Sequence, residues 1–155
     1  EKGSYFGAEP VDSTVEIISR SQGTGAFNNL VIDSESTNSA NLLIRDDNFD
    51  TLQVFTDRHN TGVYSMKHGN TFNSSVVAGE TLLKYRNNEY RVAIPRDSVI
   101  NNSQDIFEAT NLENTSQTRE RIKGDYAHIR LTYNNDSQLS FVIKLLKTII
   151  SQNIR

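Results

Sequence analysis

The sequence predicts a mainly β fold, an antiparallel sandwich or a curled sheet of hairpins with room for one short helix. Three observations carry that expectation. Residues 129–143 read IRLTY-NNDSQ-LSFVI: Ile129, Leu131 and Tyr133 alternate with Arg130 and Thr132, and Leu139, Phe141 and Ile143 resume the alternation after a turn-rich gap. A period of two places the apolar set on one face of a sheet, and Asn-Asn-Asp-Ser tolerates the backbone of a turn, so a C-terminal hairpin is expected. Residues 81–85 (TLLKY) and 90–94 (YRVAI) flank Arg86-Asn87-Asn88-Glu89, and Pro95 closes the second segment. This second hairpin can put Leu83, Tyr85, Tyr90, Val92 and Ile94 on one face. Finally, the chain is rich in Asn, Ser and Thr, with only 2 Pro and 8 Gly. Those polar side chains compete for backbone hydrogen bonds and favour turns and strand ends over helix interiors.

The other elements follow in order. Residues 1–12 read as an arm or first edge strand, with Tyr5 and Phe6 interrupted by Gly7 and Pro10. Residues 13–20 (STVEIISR) form a strand, 21–25 (SQGTG) a flexible loop, and 26–33 (AFNNLVID) a second strand. A loop covers 34–40. Residues 41–45 (NLLIR) and 51–56 (TLQVFT) are expected to pair across the acidic turn Asp46 to Asp50, and 63–67 (VYSMK) is a further short strand. Periodicity is lost over 96–123, a long irregular segment. At the end, Val142, Leu145, Leu146, Ile149 and Ile150 fall at helical spacing, yet follow a strand without a cap. A strand to about Leu145, then a helical turn or second strand, is preferred over a terminal helix.

With 155 residues the chain is most simply one domain spanning 1–155. At 35% hydrophobic residues and a mean hydropathy of −0.55 the core is lean and the surface polar. A formal net charge of −3 gives no basic excess for nucleic acid or an anionic membrane. Cysteine is absent, which excludes disulfides and thiolate metal sites. No run of about 18 apolar residues occurs, so no membrane span is expected in this chain. The chain starts without Met, which suggests a processed or excised fragment.

Few patterns point to chemistry. Asp46-x-Asn48-x-Asp50, with Asp57 eleven residues after Asp46, offers oxygen ligands at the alternate positions a calcium loop uses. It carries Thr51 where such a loop needs Gly, and a solvated Asx-rich turn explains the same letters. Calcium is the one cofactor for which the sequence offers candidate ligands. His59, His68 and His128 lack the spacing of a zinc helix. No nucleophile motif or phosphate-cradling loop appears, and Asp33 with Glu35 falls in a loop with no apolar pocket to raise a carboxyl pKa. Four N-x-Ser/Thr sequons occur, at Asn73, Asn101, Asn114 and Asn135, where about three would arise by chance. Tyr64, Tyr85, Tyr90 and Tyr126 stand beside amide-rich loops and could form a sugar- or protein-binding surface, since rings stack and amides bond hydroxyls. Cross-strand packing in the core is the competing explanation, preferred for Tyr85 and Tyr90.

These features suit a non-catalytic structural or adhesive subunit of a surface-exposed bacterial or viral assembly of pilus, fibre or tail type. Its partners would be other protein subunits, self or hetero, and its place extracellular, at a cell surface or on a virion. LLKTIISQNIR at residues 145–155 distantly resembles the closing strand in the globular heads of minor pilins, without that family's N-terminal helix or disulfides. The loop and strand rhythm of residues 23–72 equally resembles a phage fibre segment. The alternative is a soluble carbohydrate- or receptor-binding module with a tyrosine cluster in a cleft. An enzyme ranks third.

Overall fold

A computed structural model describes residues 12–69, 78–98, 119–135 and 139–152. Among the described residues seven strands form: β1 (Ser13–Thr37), β2 (Thr51–Phe55), β3 (Tyr64–Gly69), β4 (Glu80–Arg86), β5 (Glu89–Ala93), β6 (Lys123–Tyr133) and β7 (Ser140–Gln152). They make one sheet in the order β5-β4-β3-β2-β6-β1-β7, and β5 returns to pair with β1. Six strands therefore close into a barrel, with β7 attached outside the ring. Every pairing is antiparallel except β3 with β4. The expected β class holds, but the sheet closes on itself where a two-sheet sandwich was one expectation. No helix occurs among the described residues.

β1 organises the barrel. Its first part, Ser13 to Arg20, pairs with β6 from Tyr133 to Tyr126, and the register then shifts before Gly25 meets Gly124. Gly25 to Thr37 pairs with β7, and Asn29 to Ile32 also pairs with β5. Gly25 and Ala26 are thus shared by β6 and β7, and Asn29 to Ile32 by β5 and β7. A strand has two edges, so β5 and β6 must lie along the same edge of β1, one beyond the other. Tyr133, the partner of Ser13, and Ser36, near the far end, both donate to one carboxylate oxygen of Asp47, at 2.6 and 2.5 Å. If straight, the strand would hold its ends roughly 75 Å apart. β1 is therefore folded into a V, with its apex near Gly23, whose φ is 76°. At Gly25 a Cβ would come within 2.5 Å of Ser21 Oγ and 2.6 Å of Ile150 Cγ2, so no side chain fits where the arms and β7 converge.

The core follows from alternation. On β6, Ala127, Ile129, Leu131 and Tyr133 are buried, while Tyr126 and Arg130 are exposed and His128 and Thr132 lie between these extremes. Phe27, Leu30, Ile32, Leu52, Val54, Leu83, Val92 and Ile122 complete the interior. Burying a side chain of this size is worth about 1.5–3 kcal/mol. Near Ser13, Phe49 meets Phe141 and Tyr133 edge-on, and Tyr133 stacks on Phe141 with ring centroids 4.3 Å apart.

Several expectations change. Both halves of the C-terminal hairpin are strands, but β6 and β7 do not pair; β1 lies between them. Residues 21–25 continue β1 where a loop was expected, because the Ser-Gln-Gly-Thr-Gly run supplies a bend within the strand. Residues 41–45 make only an isolated bridge, Leu43 to Thr37, with Leu42 and Leu43 exposed and Asn41 at φ 61°. The hairpin across Asp46 to Asp50 therefore does not form, and β2 pairs with β6 and β3. The last segment is a single strand to Gln152, which settles the helix alternative. Between Asp33↔Leu145 and Ser34↔Ile143 the register shifts, leaving Lys144 as the extra residue of a bulge. That slip puts Lys144 and Leu145 side by side in solvent and produces the spacing that mimics a helical stripe.

By contrast, β4 and β5 form the expected hairpin, with Leu83↔Val92 and Tyr85↔Tyr90 in register. The expected arm at 1–12 lies outside the described residues except for Asp12. So do residues 99–118 of the long irregular segment, whose flanks meet where the Asp97 N–H donates to the Glu120 carbonyl at 2.8 Å.

Candidate functional site

The β4–β5 turn helps to build a polar cleft. Asn87 and Asn88 take φ values of 53° and 61°, the pair of left-handed residues that a two-residue type I′ turn demands. The tight turn keeps Tyr85 and Tyr90 opposite each other, rings 4.8 Å apart and tilted by 54°. Tyr90 is buried at 5% exposure, while Tyr85 is 38% exposed. Burial pushes the Tyr90 hydroxyl pKa up, so it stays protonated as a donor. It donates to the Arg45 carbonyl at 2.5 Å. The Ile44 N–H donates to the Ser36 carbonyl at 2.8 Å. These two bonds hold the backbone of residues 44 and 45 against the end of β1.

Arg45 so placed sets its guanidinium over Tyr85, 5.5 Å from the ring centroid. Among the described residues no carboxylate lies within ion-pair distance of it. The Tyr85 hydroxyl donates to Asn88 Oδ1 at 3.3 Å, leaving the amide nitrogen to donate elsewhere. Across the cleft stand Asp33 and Glu35, both on β1, which continues through the loop expected from residue 34, and Lys144 of the β7 bulge. Lys144 is paired with Glu35 at 2.5 Å, and that hydrogen bond raises its pKa. The space enclosed is about 370 Å³.

The four tyrosines singled out by sequence thus separate. Tyr85 and Tyr90 share the cleft. Tyr64 is half-buried on β3, its hydroxyl accepting from Arg119 at 3.5 Å. Tyr126 stands on the outer face of β6, edge-on to His128, which stacks on Phe55 at 4.9 Å and holds its Nδ1 3.2 Å from Glu16 Oε1. The core-packing explanation describes Tyr90, and a surface role is open to Tyr85.

The calcium candidates are engaged in different ways. Asn48 is buried; its amide nitrogen donates to Ser34 Oγ at 3.1 Å and its oxygen accepts the Phe49 N–H at 2.8 Å. Asp50 accepts the Asn134 N–H at 2.5 Å, with its pKa raised chiefly by burial. Asp46 is exposed. Among the described residues no group of three or more His, Cys, Asp and Glu side chains could hold a metal ion. Asp47, the residue passed over between them, is the one drawn inward to clasp Ser36 and Tyr133. Its partners lie 11 and 86 residues away, so no local signal could mark it.

His59 forms a dyad with Glu120 at 2.9 Å, but its Nδ1 accepts the Lys123 N–H at 3.0 Å. The second nitrogen is then the donor to Glu120, and neither is left to accept a substrate proton. His68, edge-on to Tyr90, has its pKa lowered by burial against the opposing pull of Asp46, Asp47 and Asp50. Of the sequons, Asn135 is buried with its amide bonded to Leu139 at both ends; Asn73, Asn101 and Asn114 lie outside the described residues. No helix among the described residues is long and apolar enough to cross a membrane. No protein-family model matches the sequence, and no curated protein matches it.

Proposed function

We propose that this chain is a non-catalytic adhesive module of a surface-exposed bacterial or viral assembly, and that it engages a glycan through the cleft at the β4–β5 turn. The carrying observation is the half-exposed Tyr85 ring set among an amide, a guanidinium and two carboxylates. Saccharide recognition needs fixed donors and acceptors for the hydroxyls beside an aromatic wall, and rigid elements supply both here, with Tyr85 as the part-exposed wall. A type I′ turn and the Tyr90–Arg45 bond hold the groups in place before any ligand arrives, which lowers the entropic cost of binding.

The experiment is a glycan array probed with the 155-residue chain and with Tyr85→Ala. Binding by the native chain that falls at least tenfold in the variant is the expected result. Array binding untouched by Tyr85→Ala moves the site elsewhere, and no binding to any glycan removes the reading.

One observation favours a purely structural subunit. On the outer face of β1, β6 and β2, Ile18 and Tyr126 are exposed at 65% and 46% beside the Phe55–His128 stack. Self-association through that face would appear in sedimentation as concentration-dependent mass and would be lost in Ile18→Asp.

A further inference from the structure

We infer that the cleft selects a carboxylated saccharide, a uronic or sialic acid type of sugar, and that Arg45 is the residue that reads the carboxylate. This rests on the preceding proposal that the cleft takes a glycan at all, and it adds the ligand's charge and the residue responsible.

The cleft holds two cations and two carboxylates, but they are not equivalent. Lys144 and Glu35 are joined to each other, so each offers a ligand a charge already largely answered. Arg45 is different. Its only described side-chain partner is the face of Tyr85, which engages the flat of the guanidinium and leaves its edge of N–H donors unspent. A planar fork of donors matches a carboxylate through two parallel hydrogen bonds, and stacking on a ring fixes the plane of that fork in advance. The backbone beneath it is held by the Tyr90 hydroxyl and by Ser36, so the side chain pivots from a fixed point.

The rest of the cleft suits the remainder of such a sugar better than it suits a free carboxylate. Asp33 is an acceptor for hydroxyls and repels a second negative charge near β1. Asn88 donates from the turn, with its oxygen already used by Tyr85. An acidic monosaccharide therefore has one orientation that satisfies the site: carboxylate toward Arg45, hydroxyls toward Asp33 and Asn88. The reverse orientation sets carboxylate against carboxylate.

The test is an NMR titration of the isotope-labelled 155-residue chain with N-acetylneuraminic acid and glucuronic acid, set against galactose and glucose. Acidic sugars should bind about tenfold or more tightly than neutral ones, shift the Arg45 side-chain resonance and lose affinity as salt rises. Arg45→Gln should erase the preference, lowering affinity for acidic sugars about tenfold or more and for neutral sugars by less. Arg45→Lys should recover only part of it, because charge remains while fork and stack are lost. Thermal unfolding of both variants confirms that the exposed position leaves the fold intact. Acidic and neutral sugars binding equally, with Arg45→Gln silent, overturns this inference and leaves the glycan proposal standing. No response to any sugar, charged or neutral, overturns both.

Discussion

Replacing Tyr133 by Phe removes one hydroxyl from the clasp that closes the V of β1. In the native chain that hydroxyl donates to Asp47 at 2.6 Å, and the same oxygen takes the Ser36 hydroxyl at 2.5 Å. A hydrogen bond to a charged acceptor contributes about 1.5–3 kcal/mol. Asp47 is only half-buried and keeps Ser36, so a loss at the bottom of that range or just below it, about 1–2 kcal/mol, is expected. For a chain of this size the loss corresponds to a fall of roughly 3–6 °C in Tm. The ring itself stays, stacked on Phe141 and edge-on to Phe49, so no cavity opens.

Alkali reports on the same hydroxyl, through its burial as well as its bond. Burial, and then the Asp47 carboxylate, push the Tyr133 pKa well above its ordinary value. The stabilisation is therefore fully present below the unfolded pKa of about 10 and is lost as pH rises toward the folded value. The stability difference between native chain and Tyr133→Phe should shrink by up to about 1.4 kcal/mol per pH unit above pH 10. Urea unfolding from pH 7 to 11 measures it. A difference under about 0.3 kcal/mol at pH 7 refutes the clasp as a stabilising contact, and one that does not change in alkali refutes the burial of its hydroxyl.

Two further outcomes test the architecture. Gly25→Ala should cost about 1–3 kcal/mol in urea unfolding, because its Cβ collides with Ser21 and Ile150 and neither short side chain can swing clear; a neutral effect there would contradict the convergence of β1, β6 and β7. His59→Ala should destabilise by about 1–3 kcal/mol by stranding the Lys123 N–H, and His59→Gln should regain part of that loss. Equal losses for the two variants would mean the ring is needed for its volume alone.

How much of this was legible in the sequence depended on distance along the chain. The β4–β5 hairpin was readable because its whole cause is local: alternation on each side of two adjacent Asn residues that accept φ > 0. The strands of β6 and β7 were readable from period two, but their neighbour was not, since β1 enters between them from over 100 residues upstream. The apex of β1 looked like a loop because glycine and serine mark a bend equally well inside a strand or between two. Lys144 broke the alternation of β7 by one residue, and that slip borrowed the spacing of a helix. Within the cleft, Tyr85 and Tyr90 stood out as letters. Arg45 was hidden in an apparent strand, and Asp33 and Glu35 at the edge of an apparent loop, because only the closed barrel brings the three to one place.

Where a saccharide lands on the barrel is the most direct measurement to make. Chemical-shift mapping with any glycan positive on the array should place the largest changes at Arg45, Tyr85, Asn88 and Lys144, around one cleft. Changes confined to Ile18, Tyr126 and His128, on the outer face of β1 and β6, would contradict a cleft-binding adhesive module and point to that face instead.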